Sequence, residues 1–169
     1  MKKPKLVMVG NGMAGVRTLE ELLKIAPDLY DITVFGAEPH PNYNRILLSP
    51  VLAGEQTLDD IVLNDRQWYA DHGITLHTGF TVNEVSRVRR TVSASNAAGE
   101  TIDAPYDRLI MATGSKPFIL PLPGKDLDGV LAYRDIADTQ AMIDAATRYR
   151  HAVVIGGGLL GLEAANGLM

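Results

Sequence analysis

The chain has 169 residues, of which 46% are hydrophobic and 21% charged, with a net charge of −4. A chain of this size can bury roughly 70% of its unfolded surface, enough for one substantial core. The mild negative charge offers no basic footprint for nucleic acid. No stretch approaches the roughly 20 apolar residues of a membrane span. Met1-Lys2-Lys3 opens like a signal peptide, but Pro4 and Lys5 interrupt it and the apolar run stops after Val9. The expectation is a cytoplasmic protein with no membrane and no nucleic-acid partner. There is no cysteine, which removes disulfides, thiolate-held clusters and redox dithiols within these residues. His40, His72, His77 and His151 fall in unrelated contexts and carry no metal-ligand spacing.

In chain order, Leu6–Val9 reads as a strand buried on both faces. Residues 14–26 read as a helix with Val16, Leu19, Leu23 and Ala26 on one stripe, stopped by Pro27. Asp31–Phe35 is a second strand and Pro39–Asn44 a loop. Asp59, Asp60, Arg66, Gln67 and Trp68 lie in a helical stretch ending near His72-Gly73, followed by a strand at Ile74–Thr78. From Glu84 to Tyr106, short β-favouring runs alternate with turn signals, predicting an antiparallel meander. Arg108–Ala112 is a last buried strand. Three prolines between Pro117 and Pro123 mark a linker. Residues 136–149 read as helix, and a strand at Ala152–Ile155 opens a second βα unit. The fold class is therefore α/β: a Rossmann-like domain with a parallel central sheet and a β-meander, then the start of a second Rossmann unit. The boundaries fall at 1–116, 117–150 and 151–169.

Each βα unit carries the pattern G-x-G-x-x-G at the strand-to-helix turn, first as Gly10-Asn11-Gly12-Met13-Ala14-Gly15 and again as Gly156 to Gly161. In that context the glycines let backbone approach a pyrophosphate at a helix N-terminus. Two copies suggest two dinucleotides. Glu38, at the end of the second strand, stands where a carboxylate accepts hydrogen bonds from an adenosine ribose. Its charge repels a 2′-phosphate, so the first site should take FAD or NAD in preference to NADP. No tyrosine has Lys four residues later, as short-chain dehydrogenases require, and a G-x-G-x-G methyltransferase loop is absent.

Two further runs stand out: Tyr43-Asn44-Arg45 through Gly54, and Ala112-Thr113-Gly114-Ser115-Lys116-Pro117, with Tyr133-Arg134-Asp135-Ile136-Ala137-Asp138 beyond. With these motifs in order, the chain resembles the two-dinucleotide flavoprotein reductases, the pyridine nucleotide–disulfide oxidoreductase superfamily, along its whole length. Within it, the sequence is most similar to the N-terminal part of the NAD(P)H-nitrite reductase large subunit. Rubredoxin and ferredoxin reductases share most of these motifs.

The resemblance implies FAD on Gly10, Gly12, Met13, Ala14 and Gly15, with Glu38 on the ribose. It implies Arg45 and Ser49 along the phosphate and flavin side, the Val82 backbone at the adenine edge, and Thr113 and Gly114 turning beside the cofactor. Gly156, Gly158, Gly161 and Glu163 would serve NAD(P)H. Ferredoxin reductases tend to carry Lys after the matching Ser, whereas this chain has Pro50, which favours the nitrite reductase branch. The implied chemistry is hydride transfer from nicotinamide to flavin N5, then one-electron transfers to an iron–sulfur or sirohaem centre in a partner domain or subunit. With no thiol here, those electrons have no protein disulfide to pass through. The alternatives are rubredoxin- or ferredoxin-type electron transfer, or a nucleotide-binding module without catalysis.

The second unit stops at Met169, about two turns into its helix, and so short a piece cannot bury enough surface to fold alone. The expectation is no NAD(P)H oxidation by the 169 residues alone, with weak or absent FAD retention. Residues from about Arg150 onward should dock opportunistically or swap. The apolar strand Ala152–Ile155 is a template for a homodimer.

Overall fold

The computed structural model describes residues 2–169. In chain order, β1 (Lys5–Val9) leads through the first glycine loop into α1 (Met13–Ile25). The buried Val16, Leu19 and Leu23 of α1 follow its 3.6-residue period. β2 (Asp31–Gly36) comes next, and the expected loop beyond it contains a two-residue strand, β3 (Asn42–Tyr43). A 3₁₀ turn at Arg45–Leu47 runs into α2 (Leu48–Leu52).

The single helical stretch expected near Asp59–Gly73 divides into three: a 3₁₀ turn at Asp59–Ile61, β4 (Val62–Asn64) and α3 (Arg66–Asp71). Two contacts explain the division. Val62–Asn64 pairs antiparallel with β3, and the Asp65 carboxylate accepts the Trp68 N–H at 2.8 Å, setting the start of α3 as an N-cap. After β5 (Thr75–Thr78), the meander begins at Thr81, earlier than expected, with β6 (Thr81–Ser86), β7 (Thr91–Ser95) and β8 (Thr101–Pro105). β9 (Arg108–Met111), α4 (Ile136–Arg148) and α5 (Leu159–Gly167) complete the described elements.

The chain divides into two compact units. The first comprises residues up to Tyr43 together with Val62–Gly114; the second comprises Asn44–Ile61 and Ser115–Met169. In the first unit a parallel sheet runs in the order β5-β2-β1-β9. Alternation along β1 sends Leu6 and Met8 to one face, where they pack with Val16, Leu19, Tyr69 and Ile74. Val7 and Val9 face the other way, onto Phe35 and the meander residues Val92, Ala94 and Ala104. Cover on both faces is why β1 is apolar at consecutive positions.

In the second unit Leu52 of α2, Met142 of α4 and Ala164 of α5 form a small core flanked by Tyr133, Ile143 and Leu168. α4 starts at Asp135, whose carboxylate accepts the Asp138 N–H. The expected strand at Ala152–Ile155 is not formed. Val153 and Ile155 are 89% and 75% exposed, and no strand of the described residues pairs with them. A strand is held by its neighbours, and apolar composition alone does not make one.

Candidate dinucleotide-binding sites

The three glycines of the first fingerprint do three different jobs. Gly10 has φ +105°, and its N–H donates to the Phe35 carbonyl at 2.8 Å. A Cβ there would lie 2.1 Å from the Ala112 carbonyl oxygen, so only glycine lets the loop pass between the ends of β2 and β9. Gly15 is a packing position: its Cβ would sit 2.9 Å from Ala112 Cβ and 3.0 Å from Met8 Sδ. Gly12 faces open space, with nothing within 4 Å of where a Cβ would stand. These jobs match the general assignment of turn, ligand approach and helix–strand packing for this motif.

Gly12 is also the N-cap of α1. It supplies no side-chain cap, and the first turn holds no acidic residue. Helix geometry leaves the amides of Met13, Ala14 and Gly15 without intrahelical acceptors, and the helix dipole makes that end favourable for an anion. α3 and α4 contrast with it, since Asp65 and Asp135 cap them.

Glu38 lies two residues past β2. Its Oε2 accepts the Tyr43 hydroxyl at 2.6 Å, and its carbonyl accepts the Gly79 N–H at 2.9 Å. Tyr43 was legible only as part of a motif; its role as an orienting partner for Glu38 depends on β3, which no periodicity marks. Thr113 and Gly114 follow β9, where the Ala112 N–H donates to the Val9 carbonyl and Gly114 has φ +70°. The glycine loop, Glu38 and Thr113-Gly114 thus all lie beyond the carboxyl ends of parallel strands, the usual ligand edge of such sheets. Val82, on β6, pairs with Ala94 and packs with the cluster around Val9 and Phe35.

The second unit holds the remaining candidates. Arg45 Nη1 donates to the Arg134 carbonyl at 2.6 Å. Nearby, burial foremost and then Asp135 push the Asp138 carboxyl above its usual range, while Arg45 pulls it down. Ser49 Oγ donates to Glu163 Oε2 at 2.7 Å and accepts the Tyr133 hydroxyl at 3.1 Å. Burial raises the Tyr133 phenol. Ser49 and Glu163, expected on different cofactors, therefore share one hydrogen-bonded group, and Tyr133 joins them unannounced by the motif that contains it. Gly156 has φ +142° with open space around its Cβ position, and Gly158 is equally open. Gly161 is closed, its Cβ position lying 2.0 Å from the Gly156 carbonyl oxygen. Gly158 caps α5 with φ −79° and ψ 173°, close to the −88° and 173° of Gly12.

No helix among the described residues is long and apolar enough to cross a membrane. The chain is 57% identical over 169 residues to nitrite reductase [NAD(P)H] of Bacillus subtilis, covering all of this chain and 20% of that protein. It is 54% identical over 168 residues to the assimilatory nitrate reductase electron transfer subunit of the same organism, covering 99% of this chain and 21% of that one. It therefore spans about a fifth of the length of these relatives. The crystal structure of NADH:rubredoxin oxidoreductase from Clostridium acetobutylicum superposes with a TM-score of 0.84 at 27% identity, over 99% of this chain and 42% of that one. Residues 4–169 match the family described as pyridine nucleotide-disulphide oxidoreductase, and the chain belongs to that family.

Proposed function

We propose that the chain is the FAD-binding opening of an NAD(P)H-dependent flavoprotein reductase. Residues 1–116 form the first part of the FAD domain, 117–150 a linker and helix, and 151–169 the opening of the NAD(P)H domain. Gly12 carries the reading. It is a position free of side-chain contacts at an uncapped helix start without acidic residues, which is what a dinucleotide pyrophosphate needs. The surrounding residues fit the same group: Gly10 and Gly15 are packed against Ala112, and Gly12 between them is open.

On this reading Gly12, Met13, Ala14 and Gly15 hold the pyrophosphate. Glu38, oriented by Tyr43, accepts from the adenosine ribose and repels a 2′-phosphate. The Val82 backbone meets the adenine edge, with Thr113 and Gly114 beside the cofactor. Arg45 and Ser49 serve its phosphate and flavin side; Gly156, Gly158, Gly161 and Glu163 serve NAD(P)H. Bound FAD supplies two-electron acceptance from nicotinamide and one-electron release, chemistry that belongs to the cofactor.

One Bacillus subtilis relative's name, nitrite reductase [NAD(P)H], supports nitrite reduction, and the other's, a nitrate reductase electron transfer subunit, supports onward electron transfer. An iron–sulfur or sirohaem centre as the downstream partner is our proposal from the family resemblance. The rubredoxin oxidoreductase supports a rubredoxin- or ferredoxin-type acceptor as the alternative. The exposure of the apolar Val153 and Ile155 supports a homodimer in which this segment becomes a strand by pairing with a second copy.

The full-length protein should purify with flavin and be reduced by NADH or NADPH in stopped flow. A colourless preparation that binds NAD alone would point to a nucleotide-binding module instead. The 169 residues alone should leave NADH and NADPH unoxidised above the free-flavin background, and faster turnover would overturn that part of the reading.

A further inference from the structure

Beneath the first glycine loop, the Tyr69 hydroxyl donates to Asn11 Oδ1 at 2.7 Å, across 58 residues of sequence. Tyr69 is 1% exposed, in the core between α1 and the sheet. The Asn42 backbone also lies against its oxygen, where it favours the charged form of the phenol. Asn42 lies on β3, next to the Tyr43 whose hydroxyl holds Glu38. One buried phenol thus ties the second residue of the glycine loop to the short strand that orients the candidate ribose carboxylate.

The Asn11 side chain brings the fold one matched and one unmatched polar group. A buried phenol needs an acceptor for its proton, and Asn11 Oδ1 fills that need. In doing so it leaves Asn11 Nδ2 buried with no protein partner, a state that destabilises the folded chain. Asn11 also crowds the end of β2: a Cβ on Gly36 would lie 2.9 Å from Asn11 Cβ. An Ala–Phe pair would leave neither the Asn11 amide unmatched nor a phenol proton to satisfy, while removing the phenol's contact with the Asn42 backbone.

We infer that Asn11 and Tyr69 are a positioning pair for an adenine dinucleotide, fixing the pyrophosphate loop and the β3–Glu38 segment in one geometry before ligand arrives. Neither residue touches the reacting atoms. The inference rests on the reading that the first unit binds the ADP half of a dinucleotide. Rigidity set in advance lowers the ordering cost of binding, so loss of the pair should appear in affinity more than in stability.

The test uses ADP as the probe, titrated by calorimetry into the full chain, beside denaturant unfolding of the same samples. The Asn11→Ala/Tyr69→Phe double variant should keep a cooperative unfolding transition while binding ADP about 5- to 10-fold more weakly. Tyr69→Phe alone should lose a similar factor, because Asn11 then loses its anchor. Unchanged ADP affinity in the double variant would overturn the inference alone, and so would a lower midpoint with unchanged affinity. No ADP binding by the wild-type chain would overturn both the reading of the site and the inference built on it.

Discussion

The two glycine fingerprints have nearly the same local conformation and opposite surroundings. Gly12 and Gly158 share extended cap geometry, and Gly10 and Gly156 both have positive φ. Yet β1 is buried between β2 and β9, whereas Ala152–Ile155 is an exposed segment outside any sheet. The turn is written locally, in glycine positions and a helix start. The strand is written in its neighbours. The turn of the motif therefore forms without strand pairing on the segment before it.

Substitution at the first glycine of each motif should break the symmetry most sharply. Gly10→Ala drives a Cβ into the Ala112 carbonyl at a strained φ and should destabilise the first unit by roughly 3–5 kcal/mol. Gly156→Ala meets nothing within 4 Å and should cost only about 1 kcal/mol of local backbone strain. Chemical denaturation of both variants checks this, and equal losses would mean that the two loops are equally supported.

Alkaline pH sharpens the same contrast. Burial, as the first cause, pushes Tyr69 up to about 12 beneath the first motif. The folded state thus keeps a proton that the unfolded chain gives up near pH 10. Stability is intact below that value and falls as pH rises from about 10 to 12, by roughly 2–3 kcal/mol. Unfolding midpoints against pH should show this slope in wild type and a flatter one in Tyr69→Phe.

Much of this was legible in the sequence because it is local. The glycine spacing, the apolar run of β1, the amphipathic stripe of α1 and the carboxylate after β2 all announce themselves within about 20 residues. What was missed depends on distant partners. β4 exists because β3 pairs with it, and α3 begins where Asp65 can cap it, so a single helix was expected across both. Tyr43 orients Glu38 through a two-residue strand that has no periodicity to read. Tyr133 reaches Ser49 across 84 residues of sequence. The strand expected at Ala152–Ile155 failed for the converse reason, since its composition is right and its neighbours are missing among the described residues.

A finer test asks whether Glu38 serves ligand or only the turn it shares with Tyr43. Glu38→Gln keeps the shape and removes the charge, and should weaken ADP binding by about 1–2 kcal/mol. Tyr43→Phe, which releases the carboxylate from its 2.6 Å hydrogen bond, should weaken it by about 0.5–1 kcal/mol. Titrations at matched pH and salt check both. Full affinity in Glu38→Gln would reduce that residue to a partner for Tyr43.

The most direct measurement concerns Gly12, the one fingerprint position of the first unit with open space where a side chain would stand. Gly12→Val should fold as wild type does, with the same unfolding midpoint and circular dichroism, because a Cβ there meets nothing within 4 Å. Its methyl groups would occupy the volume the pyrophosphate needs, so ADP binding, and FAD binding by the full-length protein, should be lost. Retained binding with an intact fold would contradict the claim that this loop holds the dinucleotide.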